Sequence, residues 1–161
     1  MTLTRRRDQR GERGAVAGVE ALLFSVLILI AGAVVLVDVW DVLDNRAALD
    51  AATREYTRSF TEQRDRAAAH ARGTAAAHAS LRHRGLDPAQ VELAVGLPLG
   101  FGPCAPVEVV ARRRVPWVRA PFLDQAGETV VEVAQRELID AHREVIADAD
   151  FDPASTVCES G

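Results

Sequence analysis

Residues 15–37, AVAGVEALLFSVLILIAGAVVLV, form an apolar run that carries one ionisable residue, Glu20. A run of about 20 apolar residues is long enough to cross the hydrocarbon core of a bilayer, where only a helix satisfies its own backbone N–H and C=O groups. Arg5, Arg6, Arg7, Arg10 and Arg13 precede it, offset only by Asp8 and Glu12. Asp38, Asp41 and Asp44 follow it before the next positive residue, Arg46. Basic flanks stay on the cytoplasmic side of a span. The expectation is a single-pass protein of the cell membrane, in contact with membrane lipid, with its N-terminus cytoplasmic and the remainder outside. Two other readings remain open. Leu22–Ile30 could be the core of a secretory signal cut at Ala31-Gly32-Ala33, or the run could be an uncleaved signal anchor. The apolar run continues past Ala33 through Val34-Val35-Leu36-Val37.

The expected organisation is a basic leader (1–15), a transmembrane helix (16–37), an exterior continuation of that helix (38–86) and a small β-rich exterior domain (87–161). Of the net charge of −4, residues 1–15 supply +3, so the rest carries −7. An acidic exterior without a basic patch argues against nucleic acid as a partner.

Between Ala33 and Arg72 there is neither Gly nor Pro, and all seven prolines lie at or after Pro88. Apolar residues follow a helical stripe through Val39, Leu43, Ala47, Leu49, Ala52, Tyr56 and Phe60. Asp50–Arg54 and Glu62–Arg66, four apart, suit ion pairs on the same helix. The expectation is one unbroken rod from Val16 to Arg72, about 85 Å long, with Gly73 a point where it can bend. Thr74–Arg84 reads as further helix, closed by Gly85 and Leu86 ahead of Asp87-Pro88.

Beyond Pro88 the period changes to two. Val91, Leu93, Val95 and Leu97 alternate with Glu92, Ala94 and Gly96 as a half-buried strand. Residues 100–106, GFGPCAP, read as a loop. A second strand spans Val107–Val115, with Val107, Val109, Ala111 and Val115 on one face and Arg112 and Arg114 on the other. Arg113 does not fit this pattern unless a bulge intervenes. Asp124-Gln125-Ala126-Gly127 is a turn signal. Thr129–Ile139 reads as a third strand to about Leu138, then helix or coil, although VAQRELIDAHREVI also fits an amphipathic helix. The fold class is α+β: a long N-terminal helix whose outer end, through Tyr56, Phe60 and the alanine run, covers a three-stranded antiparallel sheet.

Cys104 and Cys158 both lie in the exterior part, where a disulfide is expected, the other reading being two unrelated free thiols. A loop of that length would stabilise by about 4 kcal/mol in the chain-entropy model. Nothing resembles CxxC. His70, His78, His83 and His142 form no metal motif, and the three on the alanine-rich helical stretch, His70, His78 and His83, are read as solvated surface residues. The serines lack a nucleophile-elbow context, and no glycine loop cradles phosphate. No catalytic residue, metal site or cofactor is expected, and the chain does not read as an enzyme.

Ahead of the apolar run stands Arg13-Gly14-Ala15-Val16-Ala17-Gly18-Val19-Glu20-Ala21-Leu22-Leu23-Phe24. A glycine, a short spacer, a glutamate and then apolar residues resemble a prepilin signature. The opening RGERGAVAGVEALLF most resembles the TadE-like minor pilins of tight-adherence pilus systems. The likeness extends to the layout: basic leader, one long helix, small β-rich exterior part with cysteines. It implies cleavage by a prepilin peptidase at Gly14 or Ala15, and assembly with other pilin-like subunits and the pilus assembly platform. In that family the glutamate is the fifth residue of the processed chain. Cutting after Ala15 makes Glu20 the fifth, whereas cutting after Gly14 makes it the sixth. Glu20 is then expected to pair with the new α-amino group of a neighbouring subunit, against the simpler reading of an interfacial glutamate at a helix start. The alternative function is a membrane-anchored exterior binding module unrelated to pili.

Overall fold

The computed structural model describes residues 9–116, 127–156 and 158. It is α+β, with two helices against a three-stranded antiparallel sheet. Helix α1 spans Gln9–Thr61 and helix α2 spans Arg66–His83. The strands are β1 (Val91–Gly96), β2 (Pro106–Pro116) and β3 (Glu128–Leu138), ordered β1-β2-β3. Residues 1–8 of the leader, and 124–126 of the expected turn, lie outside the described residues.

The expected rod to Arg72 is broken after Thr61. Residues 62–65 turn the chain, and α2 folds back along α1 as a helical hairpin. No Gly or Pro marks the break. Asp65 does: extended at φ −132, it accepts a hydrogen bond from the Ala68 amide at 2.8 Å and caps the new helix. The hairpin buries Tyr56 and Phe60 of α1 with Ala69, Ala77 and Leu81 of α2. An uninterrupted helix would leave both stripes in water.

Gly73 is therefore not a bend but a contact. It lies inside α2, and a Cβ there would stand 2.9 Å from Cζ of Tyr56. The break also changes the ion pairs. Asp50 and Arg54 meet at 2.9 Å as expected, but Glu62 faces Arg58 at 3.6 Å. Arg66, on the other helix, reaches Asp148 at 3.0 Å instead. The end of α2 follows the sequence signal. Gly85 takes φ +74, Leu86 N–H bonds Leu81 O at 2.9 Å and Gly85 N–H bonds Arg82 O at 3.0 Å, the two bonds that close a helix with glycine.

The sheet is a meander in continuous register, from Val91↔Arg113 to Gly96↔Glu108 and from Pro106↔Leu138 to Pro116↔Glu128. No bulge interrupts β2, so Arg113 lies on the inner face with Val107, Val109, Ala111 and Val115. It is accommodated there because its guanidinium donates to Asn45 Oδ1 of α1 and, at 2.8 Å, to Gln90 Oε1. Helix α1 covers β2 and β3, and Gln135 donates to Asp50 Oδ1 at 3.0 Å. The centre of the core is aromatic: Phe60 stacks on Tyr56 with centroids 5.8 Å apart and meets Phe101 edge-on at 5.7 Å. Thr53 and Thr57 are buried between these layers, and their hydroxyls donate to Leu49 O and Thr53 O of their own helix, both at 3.1 Å.

Beyond Leu138 the described residues are coil and turns, apart from one 3-10 turn at Pro153–Ser155. They strap the interhelix turn and the 99–105 loop: Cys104 N–H bonds Ile139 O at 2.9 Å, Ile146 N–H bonds Arg64 O at 2.7 Å and Asp148 N–H bonds Phe101 O at 2.9 Å. Cys104 and Cys158 form a disulfide, with Cα atoms 5.5 Å apart and a sequence separation of 54.

Candidate functional site

The helical stripe read from the sequence has two fates. Leu49, Ala52, Tyr56 and Phe60 are buried, whereas Val39, Leu43 and Ala47 are exposed. Burial on α1 begins at Ala48, and none of residues 19–47 is buried. The packed part reaches down to Val42 and Asn45, so some 34 Å of helix, residues 19–41, stands clear of it. Phe24, Leu29 and Trp40 on it are 70%, 72% and 72% exposed. An apolar surface of this size is far beyond what a water-soluble monomer presents, and so calls for lipid or other helices.

One helix near the N-terminus, within Val19–Thr61, is long and apolar enough to cross a membrane, and none of its apolar stretch is buried. That sets it apart from the core helix of a soluble fold. Glu20 is exposed near its N-terminal end. Gly14 and Ala15 lie within the α1 backbone. Ser25 turns its hydroxyl back onto Ala21 O at 2.8 Å, so it offers no polar group to the surroundings.

Within the packed part, the four histidines are not alike. His83 is exposed, as expected of a solvated residue, and so is His142. His70 is not. Its Nδ1 lies 2.9 Å from Oη of Tyr56, and its ring meets Phe60 edge-on at 5.2 Å. Burial lowers its pKa below the ordinary 6.5, the Arg66 charge lowers it further, and Asp148 opposes both. Burial also raises the Tyr56 phenol above its ordinary 10.0, against a hydrogen bond with Thr74. His70, Thr74 and His78, four apart on α2, face Val91, Leu93 and Val95 of β1 across a cleft of about 470 Å³. The signal for this was present in the i, i+4 spacing of His70, Thr74 and His78. It acquires meaning only once α2 turns back towards β1.

A second cleft, of about 870 Å³, lies at the end of the sheet where β2 finishes and β3 begins. Arg112, Arg113 and Arg114 line it together with Glu92 and Glu132. Among the described residues no group of three or more His, Cys, Asp or Glu could hold a metal ion. Compared with known proteins, the chain matches no protein-family model, no curated protein and no solved structure.

Proposed function

We propose that the chain is a TadE-like, pilin-type subunit of a tight-adherence pilus, processed by a prepilin peptidase and held in the membrane by residues 16–37 until assembly. The observation that carries this reading is the bare apolar helix that runs without a break from Glu20 into the α+β head. A rod of that kind stores a self-association surface that the head does not cover. Its packing partners are the same segments of neighbouring subunits.

In this reading the leader is cut at Gly14 or Ala15. The new α-ammonium of one subunit is brought beside Glu20 of the next, where each charge lowers the cost of placing the other in an apolar layer. Glu20→Gln keeps the size and removes the charge. Insertion and leader cleavage are expected to persist, while assembly into pili falls. The test is pilus output measured together with the ratio of processed to unprocessed chain in membranes. N-terminal sequencing of membrane-recovered protein is expected to start at Ala15 or Val16. An intact Met1, a start near Val34, or normal pilus output from Glu20→Gln would each count against the assignment.

The cleft between α2 and β1 favours a second reading, a membrane-anchored exterior binding module. Its aliphatic wall of Val91, Leu93 and Val95 against the imidazoles of His70 and His78 is the kind of mixed surface that takes a small amphipathic ligand.

A further inference from the structure

The described α1 is continuous from Gln9 to Thr61, so the head is carried at a fixed height above whatever the apolar run is buried in. From Val37, the last residue of that run, to Ala48, the first buried residue of α1, is only about 16 Å. The sheet descends alongside this short neck. Gln135, the partner of Val109, bonds Asp50, and Arg113, four residues further along β2, bonds Asn45. Four residues of strand therefore correspond to five of helix. Three more residues bring Pro116 and its partner Glu128 about level with Asp41, next to the exposed Trp40. A tryptophan there occupies the usual interfacial position.

The 870 Å³ cleft opens at this low end of the sheet. Among the described residues its charged lining is Arg112, Arg113 and Arg114 against Glu92 and Glu132, a net charge of +1. Arg112 is taken by Glu132 at 2.7 Å, and Arg113 by Asn45 and Gln90, with its Nε buried and without a partner among the described residues. Arg114 is exposed.

We propose that the head rests on the lipid surface by this end of the sheet, and that the Arg112–Arg114 cleft holds the phosphate of an anionic phospholipid headgroup. The single negative charge of the phosphodiester matches the +1 of the cleft, and the height of the cleft places it at the headgroup layer. Arg114, exposed and without an ion pair among the described residues, supplies the uncommitted charge. The inference rests on residues 16–37 spanning the membrane but not on the pilin reading. It holds for the membrane-inserted subunit.

The test uses the full chain in detergent micelles doped with equal phosphatidylglycerol and phosphatidylcholine, with the lipids it retains counted by native mass spectrometry. One arginine near a membrane surface contributes about a fivefold preference for anionic lipid. The chain is expected to retain phosphatidylglycerol about fivefold over phosphatidylcholine. Arg114→Gln should abolish that preference, Arg114→Lys keep most of it, and Arg58→Gln, at the far end of the head, leave it intact. Near-UV circular dichroism checks that each variant is folded. Equal retention of the two lipids, or a preference that survives Arg114→Gln, overturns the proposal. Displacement of the lipid by millimolar inorganic phosphate also overturns it, in favour of a free-anion site. Alkaline extraction of membranes tests the underlying span separately: release of the chain would refute the span whatever the lipid counts show.

Discussion

Gly73→Ala sets two known magnitudes against each other at one atom. In an exposed helix interior the change is worth about 1 kcal/mol in favour of Ala. In α2 the added Cβ falls 2.9 to 3.0 Å from Cζ, Cε1 and Cε2 of Tyr56. That ring cannot simply step aside. Tyr56 is 1% exposed, stacks on Phe60 and has its Oη 2.9 Å from His70. Overpacking of a rigid core costs about 1–3 kcal/mol, so the net effect is a loss of roughly 1 kcal/mol. For a head of about 110 residues this lowers the unfolding midpoint by about 4 °C or more. The assay is thermal unfolding of the full chain in detergent, followed by near-UV circular dichroism. A double-mutant cycle with Tyr56→Leu isolates the clash. With the ring gone, Gly73→Ala should become neutral or stabilising, a coupling of about 1–3 kcal/mol. If Gly73→Ala stabilises the chain that still carries Tyr56, the close helix approach does not exist in solution and α1 and α2 pack differently.

Two further outcomes are expected. Alkylation without reduction should label neither Cys104 nor Cys158, and reducing the disulfide should cost about 4 kcal/mol in denaturant unfolding, whereas reductant should not change the stability of a Cys104→Ser/Cys158→Ser pair. Because the folded pKa of His70 lies below 6.5, its contribution to stability is complete above that pH and is lost as pH falls from 6.5 towards the folded value. The midpoint of the parent chain should therefore drop more steeply between pH 7.5 and 5 than that of His70→Gln. Parallel curves would show that burial does not perturb this imidazole.

Much of the molecule follows from local sequence. The apolar run, the period-two strands at 91–96 and 106–116 and the glycine closing α2 depend on periodicity, length and backbone freedom, which neighbours along the chain express by themselves. The α+β class follows from those elements, because a small sheet needs a helix to cover one face. Other features depended on tertiary contact. Nothing between Ala33 and Arg72 breaks a helix by propensity, yet it breaks, because only a hairpin lets Tyr56 and Phe60 meet Ala69 and Leu81 out of water. Asp65 marks the place without dictating it. The parity of β2 already put Arg113 on the inner face, but a buried-side arginine is acceptable only where acceptors such as Asn45 and Gln90 are waiting, 68 and 23 positions away. His70 passed for a surface residue until the fold brought it to Tyr56 and Phe60. In each case the deciding free energy comes from groups far apart in the chain, which pattern along the chain does not contain.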